Sequence, residues 1–210
     1  MKNLTLTVLW LLTSPLFAQT YTFNQKLSFK IESPEGNMSA YGYLNTKNGN
    51  VMQDTKAFAM LNPEAVNGEM FSIIEYGKSM TQYMKIDGKK HKMVMPLAKE
   101  NFTARDFEKV FKKTGKRQTF GKYTAEEYSG TVPDGDGEMG RVSIWVSTNP
   151  ASDIAAQLQG DMLGIFGIGY LYLPSKKAHF YVVHYSDDKG AKITLTNVEP
   201  ANQSFSTAGY

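Results

Sequence analysis

Residues 21–32, YTFNQKLSFKIE, set Tyr21, Phe23, Leu27, Phe29 and Ile31 at odd positions and Thr22, Asn24, Lys26, Ser28, Lys30 and Glu32 at even ones. Successive side chains of a strand point to opposite faces, so a period of two sustained over this length specifies a half-buried β-strand. Downstream the same texture repeats. Turn residues recur at 34–37, 45–50, 62–68, 77–78 and 87–88, and between them lie runs rich in Tyr, Phe, Met, Ile and Val at 38–44, 51–61, 69–76, 79–86 and 90–97. Short strands at this spacing, joined by tight turns, describe an antiparallel meander with one wet face. Asp87-Gly88 is the sharpest hairpin signal, because both central positions of the favoured two-residue turn need positive φ.

Two segments carry helical signals instead. Thr103 and Asp106 form a capping-box-like start to a helix over 104–113, with Phe107, Val110 and Phe111 as its apolar stripe and Lys112, Lys113 and Gly115 as its stop. A second helix is expected from Asn149-Pro150, a cap followed by proline, carrying Ile154, Ala155 and Leu158 inward and ending near Gly160. Strands resume at 116–130, 138–147, 178–187 and 190–198, with a short extended piece from Phe205 to Tyr210. Strands that outnumber helices without alternating with them indicate an α+β class.

The N-terminus reads as an export signal. Lys2 precedes an apolar run from Leu4 to Phe17, and Ala18 stands before Gln19. That order of a positive residue, an apolar stretch and a small residue matches a cleavable signal peptide over 1–18. The uncharged run is shorter than the roughly twenty residues of a spanning helix. The remainder, 19–210, reads as a single domain, periplasmic or secreted. With no cysteine in the chain, disulfides, thiolate metal sites, a cysteine nucleophile and a lipid-bearing cysteine after the signal are all excluded. The formal net charge of +3, from 23 Lys and Arg against 20 Asp and Glu, is spread along the chain and gives no footprint for nucleic acid.

Several short motifs in the C-terminal half resemble a secreted family of Bacteroidota, domain of unknown function 4412. They are Thr114-Gly115-Lys116, the Gly121…Tyr123…Tyr128 stretch, Ile144-Trp145-Val146-Ser147, the Asp188-Lys189-Gly190 turn and the closing Phe205…Gly209-Tyr210. That family is in turn distantly similar to the lipoprotein-carrier (LolA/LolB-like) superfamily. The resemblance implies a strongly curved antiparallel sheet, a half-barrel, covered by two short helices, with an apolar cavity on its concave side. Fold analogy of this kind does not fix function.

Chemistry-bearing patterns are sparse. His91, His179 and His184 lie in neither a nucleophile elbow nor a His-Glu-x-x-His arrangement, and no nucleophile, base and orienting group can be placed together, so the chain is read as non-enzymatic and without a cofactor. His179 and His184, five apart on one strand, face opposite sides and share no metal. Glu126-Glu127 also diverge, and are read as solvated charges. Gly135 to Gly140 spells G-x-G-x-x-G but opens no helix, so it is a hairpin loop rather than a phosphate cradle. Asp134, Asp136 and Glu138 alternate as calcium donors would, without the rest of a calcium loop.

Methionine stands out more. Met38, Met52, Met60, Met70, Met80, Met84, Met93 and Met95 crowd the first half, and His91, Met93 and Met95 share one strand face. Thioether and imidazole together are the soft set that selects Cu(I), whereas Met alone also fills irregular apolar space. The run from Met162 to Leu173 is apolar without a helical or strand period and is interrupted by glycines. It reads either as a buried strand with bulges or as an apolar flap over a cavity mouth.

The function expected from these features is an exported binding protein that holds a hydrophobic, lipid-like small molecule in the concave face of its sheet. Phe23, Leu27, Phe29, Met84, Met93, Met95, Leu163, Ile165, Phe166 and Ile168 would line the site. One alternative is a periplasmic Cu(I) protein using His91, Met93 and Met95. Another is a cell-envelope interaction protein with no small ligand, which requires a filled core and a flat aromatic patch. A monomer making transient membrane or envelope-protein contacts is expected, with no nucleic-acid partner.

Overall fold

The computed structural model describes residues 18–54, 69–75, 78–96, 104–133, 137–155, 162–163 and 169–210. The signal-peptide assignment to residues 1–18 therefore lies almost wholly outside the described residues. In chain order the elements are β1 (Thr20–Ser33), β2 (Gly36–Leu44), β3 (Val51–Asp54), β4 (Glu69–Glu75), β5 (Ser79–Ile86), β6 (Lys89–Pro96), α1 (Ala104–Val110), β7 (Lys112–Phe120), β8 (Tyr123–Pro133), β9 (Met139–Pro150), β10 (Met162–Leu163), β11 (Gly169–Leu173), β12 (Ala178–Asp187) and β13 (Lys192–Ser206). Among the described residues no helix is long and apolar enough to cross a membrane.

All these strands join one antiparallel sheet, in the order β6-β5-β4-β3-β2-β1-β13-β12-β9-β8-β7, with β11 paired to β12 and β10 to β11. The order has two ends, so the sheet is open. It is not closed, which corrects the expected half-barrel. The expected cover of two helices is also corrected. Among the described residues there is one helix, the seven-residue α1.

The second helix signal fails because tertiary pairing overrides it. β9 runs on through Asn149 to Pro150, which lies opposite Phe180. The ladder then passes from proline, which has no N–H, to the Ala151 N–H, which donates to the His179 carbonyl at 2.7 Å. A turn follows, held by the Ala155 N–H to the Thr46 carbonyl and by Asp153, which accepts from the Tyr181 hydroxyl at 3.0 Å. Residues 156–160 lie outside the described residues.

β1 shows why the sheet has two packing centres. Its ladder with β13 slips between Phe23 and Gln25, where Gln203 and then Pro200 become the partners. Such a bulge re-aims the side chains on either side of it. Leu27 and Phe29 join a large cluster that takes in both faces of the central strands, with Ile144, Trp145 and Val146 from β9 and Val182 and Val183 from β12. Tyr21 and Phe23 instead join a smaller cluster with Ile73 and Tyr83, against which Phe71, Phe205 and Tyr210 pack. In this second cluster the Phe71 and Phe205 rings approach edge-on at 4.1 Å and Tyr210 lies 5.2 Å from Tyr83.

α1 docks by a stacked pair, Phe107 on Phe111 at 4.9 Å. Gly130 of β8 makes room for it. A Cβ there would meet the Phe111 ring and the Val110 carbonyl oxygen, each at 2.8 Å.

Candidate functional site

Among the described residues expected to line a cavity, three are buried in packing and three, Met84, Met93 and Met95, lie on β5 and β6. Phe23, Leu27 and Phe29 are buried members of the two packed clusters, their surfaces taken up by other side chains of the protein. This overturns the lipid-like-ligand reading and the carrier-like architecture with it. Leu163 falls in β10. Ile165, Phe166 and Ile168 lie outside the described residues, as do Asp134 and Asp136.

The Met/His strand is real but is not a metal site. β6 places His91, Met93 and Met95 on one face, as expected, yet strand neighbours two apart are separated by about 7 Å. Three ligands strung along one extended strand span about twice that distance and do not converge on one ion. Among the described residues no three His, Cys, Asp or Glu side chains come together either. His179 packs edge-on against Tyr170 and tilted against Tyr172, while His184 stacks on Phe120 at 4.7 Å and bonds Thr194 through Nδ1 at 2.8 Å. The two rings therefore belong to different neighbourhoods. Burial, helped by Lys192, pushes the His184 pKa down against the opposing pull of Glu32.

What β6 does form is an apolar flank at one end of the sheet. Antiparallel register sets Met70 opposite Met84 and Met84 opposite His91, then Gln82 opposite Met93 and Met80 opposite Met95. Cross-strand partners are the closest side-chain neighbours in a sheet. The outer part of this flank is open to solvent, with Ile86 51 % and Met93 44 % exposed, and Val94, on the opposite face of β6, 54 %. On the opposite face, Lys90 and Lys92 lie over the Tyr210 and Tyr83 rings, at 4.6 and 5.9 Å from their centroids. The Lys90 ammonium also donates to the Ala208 carbonyl at 2.8 Å.

The other end of the sheet is built differently. β7 is exposed from Lys112 to Thr119 and carries four basic residues. Its ladder places Lys113 opposite Tyr128 and Arg117 opposite Glu126, so Thr114, Gly115 and Lys116 bulge out across from Glu127 alone. Gly115 takes the left-handed conformation, φ +85°, that this bulge requires. Charge and a bulge are two of the devices that keep an edge from pairing with another chain.

The expectation of solvated glutamates at 126 and 127 is corrected here, since they are only 5 % and 7 % exposed. The Lys113 ammonium lies 2.6 Å from one Glu126 carboxylate oxygen, with Lys176 at 3.7 Å from the same atom. Arg117 donates to the other oxygen. The Lys113 bond, reinforced by Arg117, outweighs burial and lowers the Glu126 pKa to about 2. On the opposite face burial raises the Glu127 pKa, but hydrogen bonds from Thr114 at 2.7 Å and Ser143 at 2.9 Å, with Lys116 at 3.3 Å, turn the net shift downward.

This cluster escaped the sequence reading because its partners meet through hairpin register and through Lys176 on the β11–β12 turn. The one local signal was four basic residues in 112–117 followed, across a Gly121-Lys122 turn, by paired glutamates.

No family model matches the chain, and no curated protein matches it. Among solved structures, one described as "Structure of PNGF-II in C2 space group" aligns at 10 % identity with a TM-score of 0.46. The alignment covers 86 % of this chain, which spans only 28 % of that one.

Proposed function

We propose that this chain is an exported interaction module of the cell envelope that works without a small ligand, its docking surface being the Met-rich flank and free edge of β4, β5 and β6. The observation that carries the reading is the contrast between the two ends of the sheet. At the β7 end, charge and a bulge blunt the edge. At the β6 end, Ile86 and Met93 stand exposed on one face and Val94 on the other, beside a strand edge that nothing pairs with among the described residues. An exposed apolar patch of this kind marks an interaction site, methionine suits surfaces that adapt to a partner, and a free edge accepts an added strand. Lys89, Lys90 and Lys92 keep the strand from pairing indiscriminately. The signal-like N-terminus supports a periplasmic or secreted location.

Photo-crosslinking in the native host tests this. A photoreactive residue at position 94 gives a discrete adduct, and one at Thr119 on β7 gives none. Equal labelling from both edges, or no adduct from position 94, contradicts the reading.

A further inference from the structure

We infer that the β7 edge holds a second, independent site, one for a tetrahedral oxyanion such as a phosphate group, presented free in solution or as a lipid headgroup. Three cationic heads converge on a single buried carboxylate. Lys113 Nζ and Lys176 Nζ sit 2.6 and 3.7 Å from one Glu126 oxygen, and Arg117 Nη2 lies 2.7 Å from the other. They approach from three different places in the chain, one on either side of the β7 bulge and one on the turn after β11. A carboxylate that stays ionised at every physiological pH therefore gathers them into one position.

Each head has donors left over. An ammonium carries three N–H groups and a guanidinium five, and one carboxylate cannot engage them all. The exposed portions of all three side chains face solvent, with Arg117 the most open. Charge is left over as well. On this face Lys113, Arg117 and Lys176 pair with Glu126 alone, an excess of two positive charges in these ion pairs. Two unneutralised charges on heads already held in place match a compact dianion, and pre-organised Arg and Lys donors are the groups that recognise phosphate. Ser175, beside Lys176, is turned away to Glu108 by its own hydrogen bond. This site uses none of the residues of the β6 flank, so either can fail without the other.

The test is a nuclear magnetic resonance titration of the full chain at low salt, with inorganic phosphate in one arm and glycerol phosphate in a second. A third arm measures cosedimentation with vesicles of neutral lipid, with and without an anionic phospholipid. The site predicts saturable shifts at the Arg117 Nε–H and at the amides of residues 113–117. Binding weakens about tenfold in Arg117→Ala and several-fold in Lys176→Ala, as expected for losing a charge-assisted hydrogen bond. Lys89→Ala at the opposite edge leaves it unchanged. Saturation by the soluble anions identifies a free oxyanion, and Arg117-dependent binding to anionic vesicles alone identifies a headgroup. Arg117→Lys, which keeps the charge, shows that the loss is not one of folding. No saturable response in any arm, or the same response in Lys176→Ala as in the unaltered chain, overturns the proposal.

Discussion

Arg117 donates twice to the same Glu126 carboxylate oxygen, from Nε at 3.1 Å and from Nη2 at 2.7 Å. Because Glu126 is buried and its pKa falls to about 2 in the folded chain, against an ordinary value near 4.5, folding favours the ionised form. A depressed carboxylate contributes stability that is present above the unfolded pKa and is lost as pH falls through the folded one. Glu126 thus contributes on the order of 2 kcal/mol above about pH 5, after discounting for its solvent-screened partners. That contribution disappears between about pH 5 and pH 2. Urea denaturation across this range shows the loss in the unaltered chain. In Glu126→Gln the stability at pH 7 is lower and the slope over the acid range is shallower.

Phe23 distinguishes a packed core from a ligand-lined hollow. It is 2 % exposed and shares a cluster with Tyr21, Ile73 and Tyr83. Truncating a ring in such a site forfeits its transfer energy and leaves a cavity, so Phe23→Ala loses about 3–5 kcal/mol. Leu27→Ala loses about 2–5 kcal/mol by the same mechanism. Calorimetry that finds either variant within about 1 kcal/mol of the parent returns these residues to a cavity wall.

Ser72 behaves in the opposite sense. It is fully buried on β4, faces Gln53 across the ladder, and neither its hydroxyl nor the Gln53 side-chain carbonyl has a hydrogen-bond partner among the described residues. Removing an unsatisfied buried hydroxyl relieves a desolvation penalty. Ser72→Ala is therefore neutral or stabilising by up to about 1 kcal/mol, measured as an unchanged or raised melting temperature.

Gly130 is fixed by close approach. An alanine there meets the Val110 carbonyl oxygen and the Phe111 ring at 2.8 Å. Backbone yields less readily than a side-chain tip, so Gly130→Ala loses about 1–3 kcal/mol. The loss appears as faster amide exchange in α1 while β1 and β13 keep their protection.

How much of this was legible in the sequence depended on how local each cause was. The Asp87-Gly88 hairpin was, because its two positive φ angles, 50° and 77°, are a property of those residues alone. The start of α1 was legible for the same reason, though the helix stops at Val110 rather than Lys113 because β7 begins at once. Pro200 and Asn202 look like breakers, yet β13 is continuous from Lys192 to Ser206. The slip opposite Phe23 and Gln25 places Pro200 at an irregularity, where its missing N–H does least harm. Asn149-Pro150 signals a helix locally and is overruled by Phe180 and His179, about thirty residues away. Glu126 and Glu127 read as surface charges, as most glutamates are, because their cations arrive through strand register and a distant turn. The Met-rich strand was visible as a pattern. Its meaning depended on which strand lies at the end of the sheet, and the order of strands is not written in any one segment.

Amide hydrogen exchange along β6 addresses the docking surface most directly. In an edge strand alternate N–H groups lack a ladder partner, so about half the amides of Lys89–Met95 exchange rapidly in the isolated chain. When the chain is captured with the partner crosslinked at position 94, those amides become protected and the β7 amides do not change. Val94→Lys, a surface change worth less than about 0.5 kcal/mol in stability, abolishes both the capture and the protection. Unaltered exchange along β6 in the captured complex, or protection that appears on β7 instead, contradicts the account.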